Sequence, residues 1–399
     1  MVKGKSIVAH WQGDFDENSI IDWVIELRDT LGAPVSLGLL FLTPRFFNNA
    51  EQILEIIKIY GKIPVLTGCS AGGLIINGSE IETKGGFVLG LYHLPDSIIH
   101  AYHIVQQDVD SACSEKYYIE KFGIHKSQVN SWISFGNPFN FDAELWLGQL
   151  NKYFPNIPVA GGCADGDIKN REVQLYLDNK VLDNGCVAVS LGGNVEIQVA
   201  VSQGAKPIGE RWIITKADRN IVYEIANMPA FDILLETFSK VPYREQKKLS
   251  ENLLVGLAVN EHREELGRGD FVVRTLLGGD PDSGILAIGG FPRPGQSIQF
   301  QQRDPKTATE DLEETLANLK KSLRGTVVYG GCLFCCTGRG RSMFKEPNHD
   351  ASRVQNILSQ IPIVGAFCNG EFGPIGTANY LHSYSASLAL FTDKKTRAY

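Results

Sequence analysis

Three stretches of this chain share one succession of hydrophobic and polar positions. The first, Ile63-Pro64-Val65-Leu66-Thr67-Gly68-Cys69-Ser70-Ala71-Gly72, is a short apolar run that opens on proline and closes on small residues. It closely matches Ile157-Pro158-Val159-Ala160-Gly161-Gly162-Cys163-Ala164-Asp165-Gly166. A looser third version, residues 361–370, has one more residue between Pro362 and Cys368. A segment with helical spacing precedes each run, as in Ile53, Leu54, Ile56 and Ile57 or in Val354, Ile357 and Leu358. Asn49, Asp142 and Asp350 head these segments, where a side-chain oxygen can accept from the unpaired N–H groups of a first helical turn. Proline then ends the helix and launches a buried strand. A further apolar strand lies ahead of each helix, at 35–41, 131–135 and 326–336.

The repeated unit is thus strand, loop, helix, strand and Gly/Cys loop, which predicts a parallel or mixed sheet covered by helices. Unequal intervals between the copies exclude a tight solenoid. Between them, 172–177, 185–191 and 195–201, and later 271–277, 285–289 and 297–301, read as antiparallel hairpins. The fold expected is α/β with α+β portions: two related domains of mixed sheets flanked by helices. The Gly- and Pro-containing stretch 204–209 sets the boundary, giving domains at 1–210 and 211–399. A degenerate extra copy is expected at 212–258, with strands at 221–225 and 253–259 and a helix at 231–240. Two related halves would bring their Gly-rich loops to a shared crevice, where pockets favour forming.

Composition narrows the classes. A chain of 399 residues suits two cores, and 43% hydrophobic with 21% charged residues is ordinary globular composition. The net charge of −7 argues against nucleic-acid binding, which needs a basic face to displace counterions. No run of 18 apolar residues occurs and the first residues lack a signal-peptide pattern, so no membrane insertion is expected. Eight scattered cysteines fit a reducing compartment, and a cytoplasmic protein is expected.

Several motifs together resemble the FIST family. Cys335-Cys336-Thr337-Gly338-Arg339-Gly340-Arg341-Ser342-Met343-Phe344, Asn369-Gly370-Glu371-Phe372-Gly373-Pro374 and the following residues 381–391 are similar to its C-terminal domain. Gly269-Asp270-Phe271-Val272-Val273-Arg274, Val222-Tyr223-Glu224-Ile225 and residues 298–303 look like that domain too. Thr67-Gly68-Cys69-Ser70-Ala71-Gly72 and Gly161-Gly162-Cys163-Ala164-Asp165-Gly166 resemble the FIST N-terminal domain. The resemblance implies a sensory module that binds a small ligand such as an amino acid. It also brings in relatives joined to an F-box, and it supplies no settled catalytic residues or cofactor. No kinase, cyclase or other output domain is read in the sequence, so a signal is expected to pass non-covalently to a downstream signalling or regulatory protein.

Candidate ligand contacts follow from residue chemistry. Gly338 and Gly340 flank Arg339 and allow close backbone approach, while the guanidinium offers a planar fork suited to a carboxylate; Arg341 is a second cation. Glu371, beside Asn369 and Gly370, would receive the ammonium of the same zwitterion, or else pair with an arginine and lock two loops. Cys336, ending a strand next to Arg339, could be a sensor thiol. Cys69, Ser70 and Asp165 would approach from the other half. Three cysteines at like positions (Cys69, Cys163, Cys368) lack the histidine spacing of a zinc site, so no metal is expected. Cys332 and Cys335 lie within a strand, against a redox pair. The run 68–72 departs from a nucleophile elbow by one position. A protein-interaction scaffold without a small ligand and a Cys- or Glu-dependent enzyme are the rival readings, and no enzymatic activity is expected.

Overall fold

The computed structural model describes residues 5–83, 85–259, 266–267 and 269–394. The chain is α/β and forms two compact units, Met1–Val201 with Glu313–Tyr399, and Ser202–Leu312. This division differs from the halves 1–210 and 211–399. The third version of the repeat, near the C-terminus, packs with the first two, and the second unit interrupts it.

The first unit is three copies of one plan. Copy one contributes β1 (Lys5–Trp11), β2 (Leu37–Leu42), β3 (Leu66–Ser70), β4 (Leu74–Ile76), β5 (Ser79–Ile81) and β6 (Phe87–His93). Copy two contributes β7 (Ser97–Ile104), β8 (Ser131–Gly136), β9 (Val159–Cys163), β10 (Leu175–Leu177), β11 (Lys180–Leu182) and β12 (Cys186–Gly193). Copy three contributes β13 (Val195–Ser202), β14 (Val328–Cys336), β15 (Ile363–Cys368), β16 (Glu371–Ile375), β17 (Ala378–His382) and β18 (Ala386–Asp393). In each copy a helix carries the chain from the second strand to the third, parallel beside it: Ala50–Tyr60, Ala143–Tyr153 or His349–Leu358.

Among the described residues these strands make three six-stranded sheets, ordered β1-β6-β2-β3-β10-β11, β7-β12-β8-β9-β16-β17 and β13-β18-β14-β15-β4-β5. The order is the same each time, and its last two strands always come from another copy. Each copy donates a hairpin to a neighbour's sheet, and the exchange closes in a cycle.

Side-chain alternation then sorts residues to two faces of each sheet. Leu39 and Phe41, Ile133 and Phe135, and Cys332 and Phe334 point to one shared core. Leu40 and Leu42 point the other way, under Ile20, Val24, Ile53 and Ile57 of the covering helices. Trp132 does likewise under Trp146 and Leu150. Asp16 accepts from Ser19 N at 2.8 Å to start the helix Glu17–Leu31, and left-handed Gly32 ends it. At the centre Phe41, Phe135 and Phe334 form a triangle of edge-to-face pairs with centroids 5.4, 5.8 and 5.7 Å apart.

The triangle depends on glycine. A Cβ at Gly68 would lie 1.7 Å from Leu40 O, one at Gly161 1.8 Å from Ser134 O, and one at Gly365 1.8 Å from Leu333 O. These glycines therefore mark one equivalent position in the three copies. Measured from them, Cys69 is one residue on, Cys163 two and Cys368 three. The matching cysteines of the sequence comparison are thus not structurally equivalent.

The second unit is antiparallel throughout its described ladders. Its sheet closes on itself because Ser297–Arg303 pairs both with Trp212–Asp218 and with Leu253–Ala258. It begins at the end of β13 and ends within the helix Pro305–Ser322, where copy one has only residues 12–16 between β1 and its first helix. The expected strands and helix of 212–258 exist, as Ile221–Ile225, Ala230–Ser239 and Leu253–Ala258. They are not a further copy, because among the described residues no parallel pair joins them. Among the described residues no helix is long and apolar enough to cross a membrane.

The close approach gives a direct test. Gly161→Ala meets a carbonyl oxygen at 1.8 Å and sits at φ +131°, whereas a Cβ at Gly148, within a helix, meets nothing within 4 Å. Denaturant unfolding should show Gly161→Ala losing about 3 kcal/mol or more, from overpacking plus a strained backbone. Gly148→Ala should gain roughly 0.5–1 kcal/mol.

Candidate functional site

The carboxyl ends of the three parallel pairs lie together. Four residues beyond Gly68, Gly161 and Gly365 stand Gly72, Asp165 and Asn369. Asp165 N donates to Ser70 O at 3.2 Å and Asn369 N to Cys163 O at 3.0 Å, so each loop is tied to the preceding copy's strand. A Cβ at Gly72 would fall 2.1 Å from Asp165 Oδ2 and 3.8 Å from Thr337. Gly72, Thr337 and Asn369 are exposed, while Asp165 is only 7% exposed. Burial raises the Asp165 carboxyl above its ordinary value, against a hydrogen bond from the Gly166 backbone. The result is one recessed carboxylate beside exposed small and polar residues.

Buried thiols lie close by. Cys69 and Cys368 are both pushed well up, first by burial and then by neighbours mostly from other copies: Cys163 and Asp165 act on Cys69, and Cys69, Glu371, Cys163 and Asp165 act on Cys368. Ser70 is buried, its hydroxyl accepting from Gln174 N at 2.8 Å. Among the described residues no group of three His, Cys, Asp or Glu side chains could hold a metal ion.

The Gly-Arg-Gly-Arg loop is placed differently. Arg339 is fully buried, and its fork grips Asp350, Nε to Oδ2 at 2.6 Å and Nη2 to Oδ1 at 2.9 Å. Nη1 donates to Tyr384 O at 3.3 Å, and the guanidinium lies 5.2 Å from the Phe344 ring centre. His349 Nδ1 stands 2.7 Å from Asp350 Oδ1. Burial alone would raise the Asp350 carboxyl, but the Arg339 charge and the hydrogen bonds from Arg339 and His349 outweigh it and hold it far below the usual range. Asp350 is therefore not the helix cap that its sequence position suggests. Glu80, on β5 of another copy, takes that role, its Oε1 accepting from Asp350 N and Ala351 N at 2.8 and 2.9 Å.

Glu371 is also fully buried, and its Oε2 accepts from Ser385 Oγ at 2.6 Å and Ser385 N at 3.2 Å. Burial lifts it to about 8 in spite of those bonds and of the Arg339 charge, so it is mostly protonated at neutral pH. The pairing of an open Arg339 with a charged Glu371 across a hollow is not what these side chains form. Gly338 leaves room for the Tyr384 ring and Gly340 for the Glu82 carboxylate. Arg341, with its side chain 59% exposed, gives its backbone N–H to Glu82. Cys336 O accepts from Arg339 N at 2.8 Å, fixing the turn after β14. Sequence reasoning missed Glu80, His349 and Ser385. Asp350 carried a signal, but the one for a helix start.

The FIST N domain matches residues 36–228 and the FIST C domain residues 230–374. Over 366 residues the chain is 33% identical to the uncharacterized protein Rv0628c of Mycobacterium tuberculosis, covering 92% of this chain and 94% of that one. It is 33% identical over 369 residues to the uncharacterized protein Mb0898c of Mycobacterium bovis, with the same coverage. An F-box/LRR-repeat protein of Arabidopsis thaliana, At5g63520, is 30% identical over 125 residues, 28% of this chain and 24% of its own. The chain belongs to the FIST family, whose domains are generally sensory, signal-transduction modules. The junction of the two matches, near 229, falls inside the second compact unit.

Two measurements check the buried charges. Asp350→Asn leaves Arg339 uncompensated and should cost about 3–5 kcal/mol in denaturant unfolding, part of it recovered by adding Arg339→Met. For Glu371 the native state keeps, up to about 8, a proton that the unfolded chain releases near 4.3. The native state binds more protons between those values, so its contribution to stability falls as pH rises and levels off above about 8. Glu371→Gln should flatten the stability–pH curve there by up to about 1.4 kcal/mol per pH unit.

Proposed function

We propose that this protein senses a small ligand at the mouth formed by Gly72, Asp165, Thr337 and Asn369, and passes its state non-covalently to a partner protein. The observation that carries the reading is Asp165, a recessed carboxylate beside exposed small and polar residues at the carboxyl ends of parallel strands. Open α/β sheets favour ligand binding at such strand ends. The carboxylate selects a ligand with an ammonium or another donor group, as free amino acids and related amines have. Arg339 is not the anion receptor in this reading, because Asp350 occupies its fork.

Binding rather than catalysis is the role proposed. The thiols Cys69 and Cys368 are held protonated by burial, which disfavours nucleophilic chemistry. All eight cysteines are free, in keeping with a reducing cytoplasm. The second unit exposes Ile213, Tyr223, Met228, Leu235, Tyr243, Leu277 and Phe291, which favours the partner arm of the reading.

Thermal shift with free amino acids and aliphatic amines tests it. A compound bound at the mouth should stabilise the protein by about 2.7 kcal/mol at a hundredfold excess over its Kd, and Asp165→Asn should abolish the gain. Equal shifts in both proteins would move the site elsewhere. No shift with any compound, alongside a single dominant protein in an affinity pull-down, would favour the scaffold reading.

A further inference from the structure

The three donated hairpins dock in the same way, but one of them differs in chemistry. The turn residues Asn77 and Asp178 play equivalent parts: each donates its N–H to the receiving strand (Ile363 O and Leu66 O, both at 2.7 Å) and accepts that strand's N–H on its side chain. Gly376, with φ +62°, holds the third turn. Three residues beyond each turn residue stand Glu80, Val181 and Asn379. Val181 packs in the apolar layer around the helix Ala50–Tyr60. Asn379 is satisfied by neutral partners, accepting from Val159 N at 2.8 Å and donating to Ile157 O at 2.9 Å. Glu80 alone of the three is ionisable, and it reaches the first turn of the helix His349–Leu358 across the seam between copies one and three.

We infer that Glu80 is a proton-operated latch, so that this seam is tightened by acid and loosened as pH rises toward neutrality. Its geometry is that of a cap with a flaw. Oε1 serves two backbone N–H groups, and Asn348 Oδ1 accepts from Glu80 N at 2.8 Å, while Oε2 is buried with no hydrogen-bond partner. The charged and titratable groups around it are Asp350 and His349 on the helix, Arg339 paired with Asp350, Cys335 on β14, and Glu82 and Arg341 where the hairpin meets the following turn. Arg339 is already neutralised by Asp350, so an ionised Glu80 adds an unbalanced negative charge beside Asp350 and Glu82.

Two effects oppose each other. Backbone N–H groups at a helix start favour a carboxylate. Burial, with Asp350 and Glu82 nearby, disfavours it, and the balance leaves Glu80 near 7. The docked hairpin thus holds a proton that a released one, with an ordinary glutamate near 4.3, gives up. Opening then grows easier as pH rises between those values and levels off above about 7. The latch does not depend on the ligand reading, since it lies in a seam rather than in the mouth.

Hydrogen exchange of the intact protein, corrected for intrinsic rates, reads the seam directly. Protection of the amides of Asp350 and Ala351 should fall by on the order of tenfold from pH 5.5 to 7.5. Glu80→Gln keeps the acceptor and should make this pair insensitive to pH; Glu371→Gln should leave their pH dependence intact. Flat protection in the wild type, an unchanged fall in Glu80→Gln, or loss of the fall in Glu371→Gln would each overturn the latch.

Discussion

The first unit depends on how closely paired parallel strands approach at one level of the fold. Gly68, Gly161 and Gly365 each lie against a carbonyl of the neighbouring strand with no space for a methyl group. That approach lets Phe41, Phe135 and Phe334 meet edge to face from three directions. The same convergence carries the strand ends, and hence Gly72, Asp165 and Asn369, to a common place. Packing and site geometry are therefore consequences of one backbone constraint.

Above that level the copies have diverged in polarity. Copy three holds a buried arginine–aspartate pair, a protonated glutamate and a helix start capped from outside its own copy. A paired buried charge contributes little net stability over a hydrophobic substitute, yet removing one partner is costly. Its presence against Glu80 and near Glu371 makes this seam the part of the unit where proton uptake and side-chain geometry are coupled.

Much of this was legible in the chain, and the rest was hidden for identifiable reasons. Repeated proline, apolar run and glycine predicted the strand–helix–strand copies, because those residues act locally. Grouping of the copies was not legible: 202–312 is an insertion, and nothing local distinguishes a domain boundary from an excursion. Aligning the copies on cysteine gave a shifted register, since Cys69, Cys163 and Cys368 are buried small side chains free to sit at different levels, whereas the glycines cannot move. Asp350 looked like a helix cap because its position satisfies that rule. Its true partner, Arg339, is decided by a turn eleven residues earlier, and its replacement as a cap, Glu80, comes from a strand some 270 residues away in sequence. Asp165 was recognisable as a candidate from its glycine-rich setting alone.

The cyclic hairpin exchange bears on how such a chain can acquire its structure. Sheet one is completed only by residues 175–182, sheet two only by 371–382, and sheet three needs 74–81 from near the amino end. No copy can finish alone, and contacts of such long sequence separation slow folding. A ribosome-bound chain would carry unmatched strand edges until residues 371–382 emerge, leaving the early copies exposed to aberrant pairing and to chaperones until then.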